Sequence, residues 1–338
     1  LFNSGYDANL SLLSSILLPG DVVMVDELCH NSIMMGITAS RLQTHATFRH
    51  NCLTDLERQL RGLHSTSTYS TYNNHCIVIV VESVYSMDGD VAPLTQLLDL
   101  AEKYHASVIV DEAHGLGIYG TTNPHDLDLL DSDEENVEET TIEKSPPQSH
   151  AGGTGVLAAL HLQHHPALLG AVYTFGKAAG CHGAVICGPN VLIQYLWNYA
   201  RPLVYSTALP RHSLVCIRMA HETLLQADQQ RNHLFELVRY LRHLLYKTLP
   251  PGIQLHPSPS PIQALLIPGN DACQQVCQHL YRHHHIRLYP IRAPTVPVGQ
   301  ERIRIVLHAY NTRPEVESLC RALRDTFQAL GLLRRAKL

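Results

Sequence analysis

Short apolar, β-branched runs alternate along this chain with segments whose leucines recur at helical spacing. Residues 21–25, 76–81, 107–110 and 183–187 are brief and almost wholly apolar, which predicts strands buried on both faces. Between them, residues 53–62 and 94–104 set leucines against polar neighbours in the manner of amphipathic helices. Strands of this kind separated by helices predict an α/β fold with a mostly parallel sheet sandwiched by helices. The working site is then expected at the carboxyl ends of the strands. From Arg211 a long helical region, including residues 233–249, leads past Pro250-Pro251-Gly252 into a second unit. That unit has candidate strands at 263–267 and 302–307 and candidate helices at 271–284 and 313–330. The expected division is a large domain over 1–225 and a smaller C-terminal α/β domain over 226–338.

Two stretches interrupt the alternation. Residues 126–150 (DLDLLDSDEENVEETTIEKSPPQSH) are acidic and then rich in serine and proline, with too little apolar surface to order themselves. They read as a surface insertion without chemistry. Residues 65–75 read as a shorter polar loop. At 338 residues, 45% hydrophobic and 16% charged, the composition is that of a globular enzyme of about two domains. The net charge of −5 lacks the basic footprint of a dedicated nucleic-acid binder. No apolar run reaches the roughly 18 residues of a membrane span. The nine cysteines are scattered, several within apolar runs, and read as reduced and largely buried thiols. Residue 1 is Leu and a structured segment follows at once, so an N-terminal segment is expected to be missing from the sequence.

The sharpest local feature is the run Val108-Ile109-Val110-Asp111-Glu112-Ala113-His114-Gly115, a strand that ends in a carboxylate with a histidine three residues on. The same letters occur in the Asp-Glu-Ala-His box of nucleotide-driven helicases, which also need a G-x-x-x-x-G-K-[ST] phosphate loop. The nearest candidate, Gly170 to Ala178, has one residue too many between its glycines, lacks the Ser/Thr and follows the box. The other use of a strand-end aspartate is to face a pyridinium nitrogen and keep the ring protonated as an electron sink. Such a site needs a lysine, and Tyr173-Thr174-Phe175-Gly176-Lys177 places one on a glycine-flanked turn after a short apolar run. On the residues alone, His30 reads as a structural or surface histidine, Ser86 and Thr174 read equally as turn caps, and Arg304 can be the polar face of a strand beside Arg302. Cys273, Cys277, His279 and His283 to His285 can be drawn as a zinc cluster. They lack a C-x-x-C pair and fall on one predicted helix, so no metal is expected.

Taken together, the ordered blocks resemble the α-oxoamine synthases, fold-type I pyridoxal-phosphate enzymes related to the class II aminotransferases. The blocks are Phe2 to Asn9, Pro19-Gly20-Asp21, His30-Asn31-Ser32, Arg49-His50-Asn51, Glu82 to Asp90, Asp111 to Gly115, Thr174 to Lys177, Tyr205-Ser206-Thr207 and Pro294 to Pro297. The resemblance implies that pyridoxal 5'-phosphate (PLP) is bound by Lys177 as a Schiff base. It implies further that Asp111 meets the ring nitrogen, His114 the phenolate oxygen and His30 the ring face. Gly5, Tyr6, Ser86 and Thr174 would cradle the phosphate, Thr207 (with Ser206) would reach the phosphate of a neighbouring subunit, and Arg304 would grip the amino acid's carboxylate. The family condenses a small amino acid with an acyl-CoA and forms homodimers. The stretch Gly152 to Gly183 is most similar to the biotin-pathway branch, which joins L-alanine and pimeloyl-CoA to give 8-amino-7-oxononanoate, CoA and CO2. The alternatives are another member such as glycine C-acetyltransferase (2-amino-3-ketobutyrate CoA ligase), or a catalytically silent partner subunit. The C-terminal Ala336-Lys337-Leu338 is a variant of the Ser-Lys-Leu peroxisomal address, so a peroxisomal location is expected.

Overall fold

The computed structural model of the chain describes residues 1–65, 75–120, 151–250, 252–293 and 295–332. The acidic insertion at 126–150, most of the loop at 65–75, Pro294 and Ala336-Lys337-Leu338 lie outside the described residues. The chain divides into two units. The first holds Leu1–Tyr85 and the described parts of Ala92–Asp126 and Gln148–Asp228, and the second holds Ser86–Val91 and the chain from Gln229 onward. The division after Asp228 lies just past the expected 225. Ser86–Val91 departs from the expected division and belongs to the second unit. Its assignment has a physical reason: buried Asp88 pairs with buried Arg302, and the Gly89 carbonyl accepts from Ser258 Oγ at 2.9 Å.

In the first unit six strands form one sheet: β1 Val22–Asp26, β2 His45–Phe48, β3 Ile77–Glu82, β4 Ser107–Asp111, β5 Leu168–Thr174 and β6 Ala184–Cys187. Their order is β2-β1-β3-β4-β5-β6, parallel throughout except for the β5–β6 hairpin. All six residues of β3 are buried, as a central parallel strand covered on both faces requires. The edge strand β2 (HATF) is short and partly polar, and its sequence carries no strand signal. At the other edge, Phe2 forms an antiparallel bridge to Ala184, so β6 does not present a bare row of donors and acceptors.

The helix Gly5–Ile16 starts at Ser4, whose side chain accepts from the Asp7 amide at 3.0 Å. Its buried face carries Ala8, Asn9, Ser11, Leu12 and Leu13. Against it packs the helix Asn31–Thr38, so closely that a Cβ on Gly36 would lie 2.9 Å from the Asn9 carbonyl.

The second unit contains an antiparallel sheet of β7 Gln254–Leu255, β8 Ile262–Leu266, β9 Tyr289–Ile291 and β10 Arg302–Val306, ordered β7-β8-β10-β9. The helices Asn270–His284 and Arg313–Ala329 belong to it, the latter opened by a capping box between Thr312 and Glu315. Cys273 and Cys277 are buried on the first of these helices. Cys273 Sγ donates to the Arg302 carbonyl, and His279 pairs with Thr326. Among the described residues, no group of three His, Cys, Asp or Glu side chains is placed to hold a metal ion, and no helix is long and apolar enough to cross a membrane.

Candidate active site

The carboxyl ends of β1, β3 and β4 each finish in an acid: Asp26, Glu82 and Asp111. Asp111 lies in register with Glu82 on one side and Val172 of β5 on the other. It is buried, and each carboxylate oxygen has a donor: the Ala113 amide gives to Oδ1 at 2.9 Å and Asn9 Nδ2 gives to Oδ2 at 2.7 Å. Burial pushes its pKa up, opposed first by those two hydrogen bonds and then by the charges of His30 and Lys177. Glu82 is held well above the usual range, by burial foremost and then by Asp111, while its Oε1 accepts from the His30 amide at 2.5 Å.

His30 caps the helix Asn31–Thr38. Its Nδ1 accepts from the Ser32 amide at 3.2 Å and lies 2.7 Å from Ser32 Oγ. Burial lowers its pKa and Lys177 lowers it further, against the pull of Asp111. The Tyr6 ring stands edge-on to it, centroids 6.4 Å apart.

Lys177 sits in the turn of the β5–β6 hairpin. Phe175 N donates to the Gly183 carbonyl, Cys181 N to Phe175 and Gly180 N to Lys177, closing the turn around an exposed lysine. Gly180 and Gly183 adopt φ of +61° and +107°, which only glycine takes without strain. Lys177 acts electrostatically on Asp111, His30 and Glu82 alike, so it shares their neighbourhood.

Gly5, the first residue of its helix, and Thr174, the last of β5, approach so closely that a Cβ on Gly5 would lie 2.1 Å from Thr174 Oγ1. Thr207 and Ser206 are exposed and tethered to Asn3, whose Nδ2 donates to Ser206 Oγ at 3.0 Å and to the Thr207 carbonyl at 3.2 Å. His114 lies half-buried in the turn after β4.

The first unit therefore brings together Asp111, His30, Lys177 and Tyr6, and separately joins Gly5 to Thr174. Ser86 and Arg304 belong to the second unit, where Arg304 Nη1 donates to the Ser86 carbonyl at 3.0 Å. The neighbouring Arg302 is fully buried in its pair with Asp88, whereas Arg304 is half-buried with further donors on its guanidinium. Asn9, Ser32 and Glu82 lie in the quoted sequence blocks, but sequence reasoning gave them no role. The available signal was Asn9 itself, an amide on a helix face otherwise made of Ala, Ser and Leu.

The chain matches the family model for class I and II aminotransferases over residues 1–323. The 8-amino-7-oxononanoate synthase of Emericella nidulans is 33% identical over 98% of this chain and 74% of its own length. That of Cellvibrio japonicus is 32% identical over 98% and 72%. Among solved structures, the serine palmitoyltransferase of Sphingomonas wittichii superposes with a TM-score of 0.80 at 25% identity, covering 98% of this chain and 72% of that one. The 8-amino-7-oxononanoate synthase from Francisella tularensis gives 0.74 at 22%, covering 98% and 82%. The chain belongs to the class I and II aminotransferase family, within its α-oxoamine synthase group. Its fold is fold-type I, with the mostly parallel six-stranded sheet and the smaller antiparallel sheet described above.

Proposed function

We propose that this chain is a PLP-dependent acyltransferase that condenses L-alanine with pimeloyl-CoA, releasing CoA and CO2 and forming 8-amino-7-oxononanoate. The observation that carries the reading is the cluster of Asp111, His30 and Lys177 at the carboxyl ends of the sheet, in a chain about one-third identical to 8-amino-7-oxononanoate synthases.

The residues fit the cofactor. A buried strand-end carboxylate that takes hydrogen bonds from Asn9 and the Ala113 amide and lies in the field of Lys177 suits a protonated ring nitrogen. The tight Gly5–Thr174 approach sets a hydroxyl beside the first turn of a helix, whose amides have no acceptors within the helix and favour a phosphate. PLP, when bound, supplies an electron sink for the pair left on the amino acid's α-carbon. Lys177 Nζ would be the attachment point for the cofactor and the group that holds the α-proton. His30 would face the cofactor's ring and His114 would serve its phenolate oxygen. Arg304, with donors to spare, takes the amino acid's carboxylate, a role open to it because Arg302 is already engaged by Asp88.

A homodimer is part of the proposal. No residue of the 15-residue helix Arg211–Leu225 is buried, and Leu214, Val215, Met219 and Leu225 are exposed on it, an apolar surface suited to a second copy of the chain. A peroxisomal location rests on the Ala336-Lys337-Leu338 terminus alone.

The test is to incubate the chain with PLP, reduce with borohydride and map the adduct, which is expected on Lys177 and absent from Lys177→Ala. CoA release is then compared for L-alanine with pimeloyl-CoA and glycine with acetyl-CoA. Faster turnover with glycine would overturn the substrate assignment in favour of a glycine C-acetyltransferase. An adduct without turnover on any pair would favour a silent partner subunit.

A further inference from the structure

Asn9 and Ser32 join the two side chains that the proposed function sets on the cofactor's ring. Asn9 is 3% exposed and Ser32 fully buried, on the two helices that pack together at the end of the sheet. Asn9 Nδ2 has two hydrogens. One goes to Asp111 Oδ2 at 2.7 Å and the other to Ser32 Oγ at 3.0 Å. With its oxygen accepting from Asn9, Ser32 turns its own hydrogen toward His30 Nδ1, 2.7 Å away. The Ser32 amide donates to that same Nδ1 at 3.2 Å.

The direction of the chain is fixed by its first member, because an ionised carboxylate only accepts. A flipped Asn9 would set its carbonyl oxygen against Asp111, so the amide has one workable orientation. At the far end Nδ1 receives two donors and carries no hydrogen, which leaves the His30 proton on Nε2.

Resting on the function proposed above, we infer that Asn9 and Ser32 are positioning residues. Asn9 holds the Asp111 carboxylate ionised and aimed, and through Ser32 it locks His30 into the Nε2–H tautomer and a single ring orientation. The titratable groups that bear on Asp111 from the surrounding elements are Cys29, His30, Glu82, Glu112 and Lys177. None of them donates a hydrogen bond to its side-chain oxygens among the bonds described, and Asn9 is the side chain that does.

The test measures PLP affinity of the chain by equilibrium binding, together with the pH dependence of the bound cofactor's visible absorption, in Asn9→Leu, Ser32→Ala, Ser32→Thr and the double variant Asn9→Leu/Ser32→Ala. Loss of a hydrogen bond to a charged group predicts about a 10- to 100-fold weaker Kd in Asn9→Leu, with the absorption transition displaced in pH. Ser32→Ala is expected to weaken binding by a few-fold, about 2- to 10-fold, with Ser32→Thr restoring it through its hydroxyl. The double variant should lose less than the product of the single losses, because both changes cut one chain. If Asn9→Leu does not fold, Ser32→Ala and its threonine rescue decide the matter. Wild-type affinity and an unmoved absorption transition in the folded variants overturn the inference while leaving the cofactor reading intact. A wild-type chain that takes up no PLP overturns both, which is a separate result.

Discussion

Asp111 and Glu112 are adjacent carboxylates, both buried, at the end of one strand, and they are held in opposite ways. Asp111 accepts from Asn9 and lies near His30 and Lys177, two exposed groups that can also meet a ligand. Glu112 faces only the protein. Its oxygens accept from Ser83 Oγ at 2.8 Å, Val156 N at 3.1 Å and Leu157 N at 2.7 Å. A Cβ on Gly115 would lie 1.8 Å from Glu112 Oε2 and one on Gly155 3.0 Å from its carboxylate, so glycines wall it in. Burial does not separate these two acids. The identity of the donors does. Backbone amides of the segment after residue 150 make Glu112 a pin for that segment, whereas Asp111 takes one amide from its own turn, one side-chain amide from Asn9 and the field of Lys177.

The contrast predicts opposite phenotypes. Glu112→Ala leaves a buried hydroxyl and two amides without acceptors, and is expected to lower unfolding stability by about 3–5 kcal/mol in denaturant titration. Asp111→Asn keeps the shape and removes a desolvated charge but turns its NH2 onto one of two donors, so it should cost less than Glu112→Ala, about 1–3 kcal/mol. Turnover should instead fall by about a hundred- to a thousandfold, as for loss of a group opposing charge in the reacting complex. Equal loss of stability in both variants would dissolve the distinction.

Glu112 also carries a pH signature. Burial raises its pKa from 4.5 to about 7, against the hydrogen bonds from Leu157, Ser83 and Val156. A carboxyl raised on folding binds more protons in the native than in the unfolded state between those values. Its contribution is therefore most favourable below the unfolded pKa and is lost as pH rises through the folded one. Relative to Glu112→Gln, the wild type should lose on the order of 3 kcal/mol between about pH 4.5 and 7, with no further change above. A difference that does not vary with pH would show that Glu112 is ionised throughout.

The second unit repeats the contrast with Arg302 and Arg304. Arg302→Met strands the buried Asp88 carboxylate and should cost about 3–5 kcal/mol of stability. Arg304→Met removes a bond to the Ser86 carbonyl worth about 0.5–1.5 kcal/mol, and should be read mainly in a raised KM for the amino acid. A raised KM in both, with stability intact, would mean that the pair at Asp88 is not structural.

Much of this was legible in the sequence, and for stated reasons. The strands at 76–81 and 107–110 are long apolar runs, so their burial follows from composition, and a carboxylate at such a strand's end falls where parallel sheets bind ligands. The turn that carries Lys177 was legible from its glycines, two of which it uses at positive φ. What stayed hidden depends on tertiary partners. The antiparallel direction of β6 is set by the hairpin, β2 is too polar to announce itself, and Ser86–Val91 leaves the large domain because Asp88 finds Arg302. Asp111 and Glu112 look alike as letters, and only the donors brought to them across the fold tell them apart.

A substitution at Gly115 isolates the wall around Glu112. Gly115 has no positive φ, so Gly115→Ala carries no backbone strain, and its cost comes from the added methyl meeting Glu112 Oε2, with Ser83 Oγ at 3.0 Å. The carboxylate cannot swing aside without giving up its three donors, so the clash should cost about 1–3 kcal/mol. Placed on Glu112→Ala, the same methyl enters the space that the carboxylate vacated, and its cost should fall to near zero. The double-mutant cycle would then report a coupling of about 1–3 kcal/mol. Additive costs would mean that Gly115 is required by something other than Glu112, and the structural half of the Asp111–Glu112 contrast would lose its support.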